Sequence, residues 1–165
     1  MRSLVLIHTV LFLSTLSNTV LATDYQKILN ESKNIIEIEE KLPDFSNVVF
    51  NDSSLLEDQK YNFLRQYSYR IDGEYSEAFS CDCFDYINQI YLTEKKKIHN
   101  KDFLYFLLKE AVTCDCTSDL TRYGSYELKE CVIIWEKLKE QINIADENIN
   151  KEIEDIITKL KKTTG

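Results

Sequence analysis

Residues that interrupt helices are scarce in this chain. Its 165 residues include three glycines and one proline, and no stretch shows the sustained apolar–polar alternation of a half-buried strand. Apolar residues instead recur at helical spacing, as at Phe103, Phe106 and Leu107. The sequence therefore predicts an all-α fold, a small disulfide-stapled bundle of about six helices joined by short turns.

Long apolar runs are also missing, apart from one at the N-terminus. Arg2 precedes the apolar residues 4–16, and small or β-branched residues stand at the −3 and −1 positions of a cleavage site that ends with Ala22. The run is shorter than the roughly 20 apolar residues of a membrane span. We expect residues 1–22 to be a signal peptide and residues 23–165 to be one secreted helical domain without a membrane anchor.

Histidine is scarce as well, which bears on catalysis. After the leader the chain has one histidine, His99, in a lysine-rich turn, so Ser-His-Asp and Cys-His schemes lack a credible base and zinc-hydrolase motifs are absent. No glycine-rich phosphate loop occurs. Acidic pairs such as Glu39 and Glu40 lie on polar helix faces, and Asp82 with Asp115 is a weak candidate for a carboxylate pair. We expect a protein that is not an enzyme and holds no metal or cofactor.

Positive charge is in deficit. The net charge is −8, and it becomes −9 when Arg2 leaves with the leader. Nucleic acids and acidic lipids are bound mainly by lysine and arginine, so neither is an expected partner. Two Asn-x-Ser sequons in a secreted chain make Asn30 and Asn51 candidate glycosylation sites.

What the chain does contain is a motif written twice. Residues 77–83 read Glu-Ala-Phe-Ser-Cys-Asp-Cys, and residues 110–116 read Glu-Ala-Val-Thr-Cys-Asp-Cys. Five of the seven positions are identical, and the other two are replacements of similar type. The match indicates a repeated unit, and it raises the hypothesis of two related helical repeats.

The cysteines are expected to form disulfides, because the predicted route of the chain is oxidising. A bridge inside one Cys-x-Cys would be strained, so the pairing is expected between motifs, in either order. The four residues are Cys81, Cys83, Cys114 and Cys116. A four-thiolate zinc site and a redox dithiol are alternatives that fit the spacing less well. Cys131 lies on the apolar stripe of a predicted helix and is expected to be a buried free thiol, or else to form an intermolecular bridge or replace one of the four.

Local patterns place the predicted helices. The first should run from Tyr25 to the residue before Pro43, and residues 44–52 read as a loop whose apolar residues must still be buried. Residues 54–57 resemble a capping box that opens a second helix. Its inward face is predicted to contain Leu55, Leu56, Phe63, Leu64 and Tyr67. A third helix carries the first cysteine motif, and Asn100 is the predicted N-cap of a fourth.

Aromatic residues are plentiful, with ten tyrosines, eight phenylalanines and one tryptophan. Most should pack in the core. Tyrosine is also favoured at protein interfaces, so its surplus around the two motifs is a pointer to a partner-binding surface.

A leader, one small tyrosine-rich helical domain and two Cys-x-Cys motifs about thirty residues apart resemble the BICYCLE family of secreted aphid salivary effectors. The family is named for paired Cys-Tyr-Cys motifs, and here Asp82 and Asp115 stand at the middle positions. The resemblance implies secretion from salivary glands into plant tissue, where such proteins are thought to alter host cells, including in galls. It implies no enzymatic activity.

The leading functional hypothesis is a non-catalytic secreted effector that binds a host protein through an exposed helical face. The alternative is a secreted helical carrier of small apolar ligands, with a pocket between helices lined by phenylalanine and tyrosine.

Overall fold

In the computed structural model, residue 22 and residues 24–114, 128–142 and 146–164 are described. They form helices joined by short connections, and no strand occurs among them. The predicted all-α fold is therefore confirmed. The described residues up to Ile71 form one compact unit and those from Asp72 form a second, a subdivision that the expectation of one domain did not include.

In its described residues the first unit has four helices. They are α1 (residues 24–31), α2 (Ile35–Lys41), α3 (Phe45–Asn51) and α4 (Glu57–Ser68). The sequence predicted one helix where α1 and α2 stand, and that prediction is wrong. The Asn34 side chain accepts a hydrogen bond from Glu37 N at 3.0 Å, and the Glu37 carboxylate accepts one from Lys33 N at 2.9 Å. With Asn34 as its N-cap, a new helix therefore begins at Ile35.

The predicted loop at residues 44–52 is also wrong, because most of it is α3. The carboxylate of Glu39 accepts hydrogen bonds from the backbone N–H groups of Asp44 at 2.6 Å and Phe45 at 3.4 Å. A side chain of the preceding helix thus accepts from backbone N–H groups at the start of α3 that have no partner inside the helix. Of the three apolar residues expected to be buried here, Val49 and Phe50 are buried and Val48 is half-buried.

The start of α4 differs from the predicted capping box. Ser54 does not cap the helix, because its hydroxyl and backbone N–H both donate to Asp52 Oδ1. The helix begins after Leu56, whose backbone N–H donates to Gln59 Oε1 at 2.9 Å. Leu56 was predicted to face inward and is 71% exposed. The other four residues of that predicted face, Leu55, Phe63, Leu64 and Tyr67, are buried.

An aromatic cluster fills the core of the first unit. Phe45 stacks on Tyr67 with ring centroids 5.1 Å apart, and Tyr25 packs edge-on against Phe45 and tilted against Phe63. Fully buried Leu29, Ile38 and Leu64 complete the packing. Burial of an aliphatic or phenylalanine side chain of this size contributes about 1.5–3 kcal/mol, so apolar packing holds these short helices in place.

The second unit contains four α-helices in its described residues. They are α5 (Gly73–Asn88), which continues as a π-helical turn (Gln89–Thr93), α6 (Lys101–Ala111), α7 (Leu128–Gln141) and α8 (Glu147–Thr164). Asn100 caps α6 as predicted, since its side chain accepts from Phe103 N at 2.9 Å.

Two helix pairs make up this unit. α5 packs on α6, α7 packs on α8, and α7 also contacts the π-helical turn. Trp135 is completely buried and its ring centroid lies 4.9 Å from that of Phe84. Ion pairs Lys161–Glu136 and Lys139–Glu154 join the exposed edges of α7 and α8. Exposed ion pairs contribute little to stability, so most of the stabilisation of the α7–α8 pair comes from its buried apolar faces.

Several predictions fall on residues that the structure does not describe. The signal peptide lies outside the described residues except for Ala22, and Asp115 and Cys116 lie outside them as well. Among the described helices, none is long and apolar enough to cross a membrane.

Candidate interaction surface

A disulfide joins the two cysteine motifs. It links Cys81, near the middle of α5, to Cys114, three residues beyond the end of α6, with Cα atoms 5.0 Å apart. Beside it, Ser80 Oγ and Thr113 Oγ1 share a hydrogen bond of 2.7 Å. Equivalent positions of the two motifs are therefore in contact. The disulfide fixes one end of the α5–α6 pair.

Cys83 differs from the expectation that all four motif cysteines are bridged. It is a completely buried free thiol. Two residues along a helix turn a side chain by about 200°, so Cys83 faces the core while Cys81 faces Cys114. Burial raises the pKa of the Cys83 thiol well above its usual value, and the charges of Glu110 and Asp82 raise it further. The thiolate is therefore suppressed, and Cys83 is a poor nucleophile.

The remaining candidates for chemistry are scattered. Cys131 is a completely buried thiol on α7, and His99 is exposed. Glu39 is used as the cap of α3, and Asp82 cannot be placed relative to Asp115, which is outside the described residues. In the described part of the chain, no three His, Cys, Asp or Glu side chains are arranged to hold a metal ion.

The exposed side of α4 carries a stack that the sequence reasoning missed. Tyr61, Arg65 and Tyr69 are four residues apart, so they line one side of the helix. The guanidinium carbon of Arg65 lies 5.9 Å from the ring centroid of Tyr61 and 5.8 Å from that of Tyr69. Arg65 Nε donates to the Tyr69 hydroxyl at 3.2 Å. We call these three residues the α4 stack.

The two tyrosines of the α4 stack contact the guanidinium group of Arg65. The hydrogen bond to Tyr69, followed by the charges of the Tyr69 and Tyr61 hydroxyls, raises the pKa of Arg65 above its ordinary value. Tyr69 is 74% exposed although it is large and partly apolar. The opposite side of α4 is anchored in the core by Phe63, Leu64 and Tyr67. The surface is thus displayed on a fixed helix.

Tyrosine and arginine are enriched among the residues that dominate binding energy at protein interfaces. Each offers a flat apolar area together with polar groups, and Arg65 is already ordered by its two neighbours. Ordering a long side chain before binding removes part of the entropy cost of association. The signal in the sequence was the Tyr-x3-Arg-x3-Tyr spacing on a helix whose other face is apolar.

The first unit also has an open groove of about 530 Å³. Its walls come from α1, the C-terminal end of α2 and α3. The lining residues are Asp24, Tyr25, Lys27, Ile28, Glu31, Lys41, Leu42 and Val48. Such a volume falls in the range of small-ligand sites. Of the predicted phenylalanine and tyrosine lining, this groove has the tyrosine Tyr25, whereas Phe45, Phe50 and Phe63 are buried in the core.

A polar network fixes one wall of this groove. The Tyr25 hydroxyl donates to Asp52 Oδ2 at 3.0 Å, and buried Lys60 donates to the carbonyl of Phe50 at the end of α3. Burial raises the pKa of Tyr25 to about 12, with the hydrogen bond and charge of Asp52 adding to the effect. For Asp52, burial is outweighed by hydrogen bonds from Ser54 and Tyr25 and by the charge of Lys60, so its pKa is lowered.

Comparison of the chain with protein-family models, with curated proteins and with solved structures finds no match.

Proposed function

We propose that this protein is a secreted, non-catalytic effector that binds a host protein, and that the α4 stack is its contact surface. The observation that carries the proposal is the Tyr61–Arg65–Tyr69 arrangement, in which Arg65 and Tyr69 are exposed and Tyr61 is half-buried, on a helix whose other side packs in the core. The surface combines the residue types, exposure and rigidity that interface hot spots require.

The predicted leader and the resemblance to the BICYCLE effectors support delivery into plant tissue. The disulfide between the motifs fits an oxidising route, since such bonds persist mainly outside the cytosol. We propose further that the two motifs are copies of one helical unit, which the meeting of equivalent positions at Ser80–Thr113 and Cys81–Cys114 supports. Cys81 is used by the bridge to Cys114 and Cys83 is a free thiol, so the first motif does not form the second bridge that the sequence predicts.

A pull-down from plant extract tests the effector proposal. The bait is the mature protein at micromolar concentration, beside the variant Arg65→Ala/Tyr69→Ala. The matched control Lys33→Ala/Ile36→Ala removes another cation and an exposed apolar side chain from the same unit. We expect a specific partner with the wild type and the control that is lost with the α4 variant. Failure to capture any specific partner, or equal capture by all three proteins, would contradict the proposal.

The second candidate function is a carrier of small apolar ligands, and the groove beside Tyr25 favours it. Ile28, Leu42 and Val48 supply an apolar surface in a volume suited to a small molecule. An organic extract of the purified protein, analysed by mass spectrometry, should contain ligand if the protein is a carrier. An empty extract from protein secreted by its native tissue would remove this candidate and leave the effector proposal intact.

A further inference from the structure

Residues 94–101 concentrate positive charge in an acidic protein. The segment, which we call the basic loop, contains four lysines and one glutamate and has a net charge of +3. Because the whole chain carries −8, the rest of it carries −11. All four lysines of the loop are exposed. A local charge opposite to that of the rest of the molecule defines a surface for an anionic partner.

The basic loop is held in a defined conformation. At its start, the backbone N–H of Glu94 donates to Gln89 O at 2.8 Å and that of Lys96 donates to Ile90 O at 2.9 Å. At its end, Asn100 caps α6. Between these points Ile98 is buried, with 7% of its surface exposed. An apolar anchor in the middle and hydrogen bonds at both ends direct the lysines outward.

Neighbouring acids neutralise only part of this charge. Glu94 pairs with Lys96 Nζ at 2.8 Å and also accepts from Gln89 Nε2 at 2.9 Å. Asp102, in the first turn of α6, is the next acid along the chain and is exposed. Lys95, Lys97 and Lys101 are exposed, and none of them forms an ion pair with another residue in the described part of the chain.

Two of these lysines stand where local stability disfavours them. Lys95 has φ of +55°, the left-handed conformation that glycine adopts more readily than other residues. Lys101 is the first residue of α6, where the helix dipole disfavours a positive charge. Residues that break local rules without a gain in stability are found mainly at functional sites.

We propose that the basic loop binds a short acidic peptide segment of a partner protein, through Lys95, Lys97 and Lys101. A segment of eight residues spans at most roughly 28 Å even when fully extended. A long polyanion needs more cationic contacts than this, on the order of 6–10 phosphates for a typical DNA complex, and it would meet the repulsion of the remaining acidic chain. A short run of Asp and Glu fits the loop alone. The proposal stands apart from the α4 stack.

Fluorescence anisotropy with a labelled hexaglutamate peptide tests this assignment. We expect binding to the full mature protein at low salt that weakens as salt is added, because exposed charges are screened. The variant Lys95→Gln/Lys97→Gln/Lys101→Gln should bind the peptide about tenfold more weakly than the wild type, or even more weakly than that. The matched control Lys129→Gln/Lys137→Gln/Lys151→Gln removes the same charge from exposed positions of α7 and α8 and should bind as the wild type does.

Two further arms decide between sources of negative charge and between the two surfaces. A labelled DNA duplex and a labelled oligogalacturonate of matched charge should bind more weakly than the peptide; tighter binding of either would overturn the acidic-peptide assignment. The α4 variant Arg65→Ala/Tyr69→Ala should retain peptide binding, so loss of the effector surface and loss of the basic loop are separable. Equal affinities of the loop variant and its control, with both folded by circular dichroism, would also refute it.

Discussion

Ser80 and Thr113 share a hydrogen bond of 2.7 Å across the α5–α6 pair, and they occupy the same position in the two copies of the repeated motif. The next residue of each copy, Cys81 and Cys114, forms the disulfide. Two consecutive positions of one motif copy thus contact the same two positions of the other, one through a hydrogen bond and the next through a disulfide. This arrangement explains why the motif keeps a hydroxyl residue before its first cysteine in both copies.

Removal of the disulfide should destabilise the second unit. The bond closes a loop of 33 residues, for which chain entropy gives about 3–4 kcal/mol. The variant Cys81→Ser/Cys114→Ser should show that loss in urea unfolding, and reduced wild type should behave like the variant. An unchanged unfolding midpoint in both would show that the bond does not restrain the folded chain.

Cys83 should react with alkylating reagents only after unfolding. Its thiol is completely buried and its pKa is raised by burial and by the charges of Glu110 and Asp82. Mass spectrometry after iodoacetamide treatment, without reductant, should find Cys83 unlabelled in the native protein and labelled in denaturant. A peptide in which Cys83 is linked to Cys116 would instead establish the second bridge that the sequence predicts.

The fold class could be predicted from the sequence because apolar residues repeat at helical spacing and few breakers interrupt them. The helix boundaries in the first unit could not. The restart at Asn34 depends on the pairing of its side chain with Glu37, and α3 depends on Glu39, a residue of the preceding helix. The Asn-x-x-Glu spacing was readable in the sequence, whereas the contact from Glu39 requires the tertiary structure.

The sequence predicted that an interaction surface exists, but it did not predict where that surface lies. A surplus of tyrosine indicated an interaction surface, and helical spacing correctly placed Tyr67 on the inward face, but it did not assign Tyr61 and Tyr69 to a surface. Position on α4 decides between them, since Tyr67 lies on the core side of the helix and its hydroxyl donates to Glu39. The role of Arg65 becomes visible only when both rings are placed around it.

Acid should weaken the first unit through Asp52. Its folded pKa is lowered, so the stability that it contributes is present above the unfolded pKa of about 4 and is lost as pH falls through the folded value. Urea unfolding of the wild type and of Asp52→Asn should therefore differ most at neutral pH. The difference should shrink as pH falls below the ordinary aspartate value of about 4 and the Asp52 carboxylate takes up its proton. A constant difference would place the effect of Asp52 in packing and not in its charge.

Alkali should act on the same network through Tyr25. Its pKa is raised from 10.0 to about 12, so its contribution is complete below pH 10 and is lost as pH rises towards 12. The stability difference between wild type and Tyr25→Phe should decline across that window. In the Asp52→Asn background the decline should be smaller, because the acceptor that helps to raise the tyrosine pKa has lost its charge. Equal declines in the two backgrounds would assign the shift to burial alone.

The two sequons should carry glycans in the secreted protein. Asn30 lies on α1 and Asn51 is the last residue of α3, and both side chains are exposed. The oligosaccharide is therefore compatible with the packing at each site, although Asn51 would give up its hydrogen bonds to Asn47. Protein secreted from insect cells should lose mass on treatment with peptide N-glycosidase. The substitutions Asn30→Gln and Asn51→Gln should each abolish the part of that mass loss that comes from one glycan.

The groove and the α4 stack give this last prediction a structural consequence. Asn30 is adjacent in sequence to Glu31, which lines the groove, and its side chain accepts from Gln26, which also bonds Gln66 on α4. A glycan at Asn30 therefore lies beside the groove and on the side of α1 whose Gln26 bonds to α4, whereas one at Asn51 lies at the end of α3. If Asn30→Gln strengthens ligand or partner capture and Asn51→Gln leaves it unchanged, the first glycan partly covers a working surface. The reverse pattern would move that surface towards the end of α3.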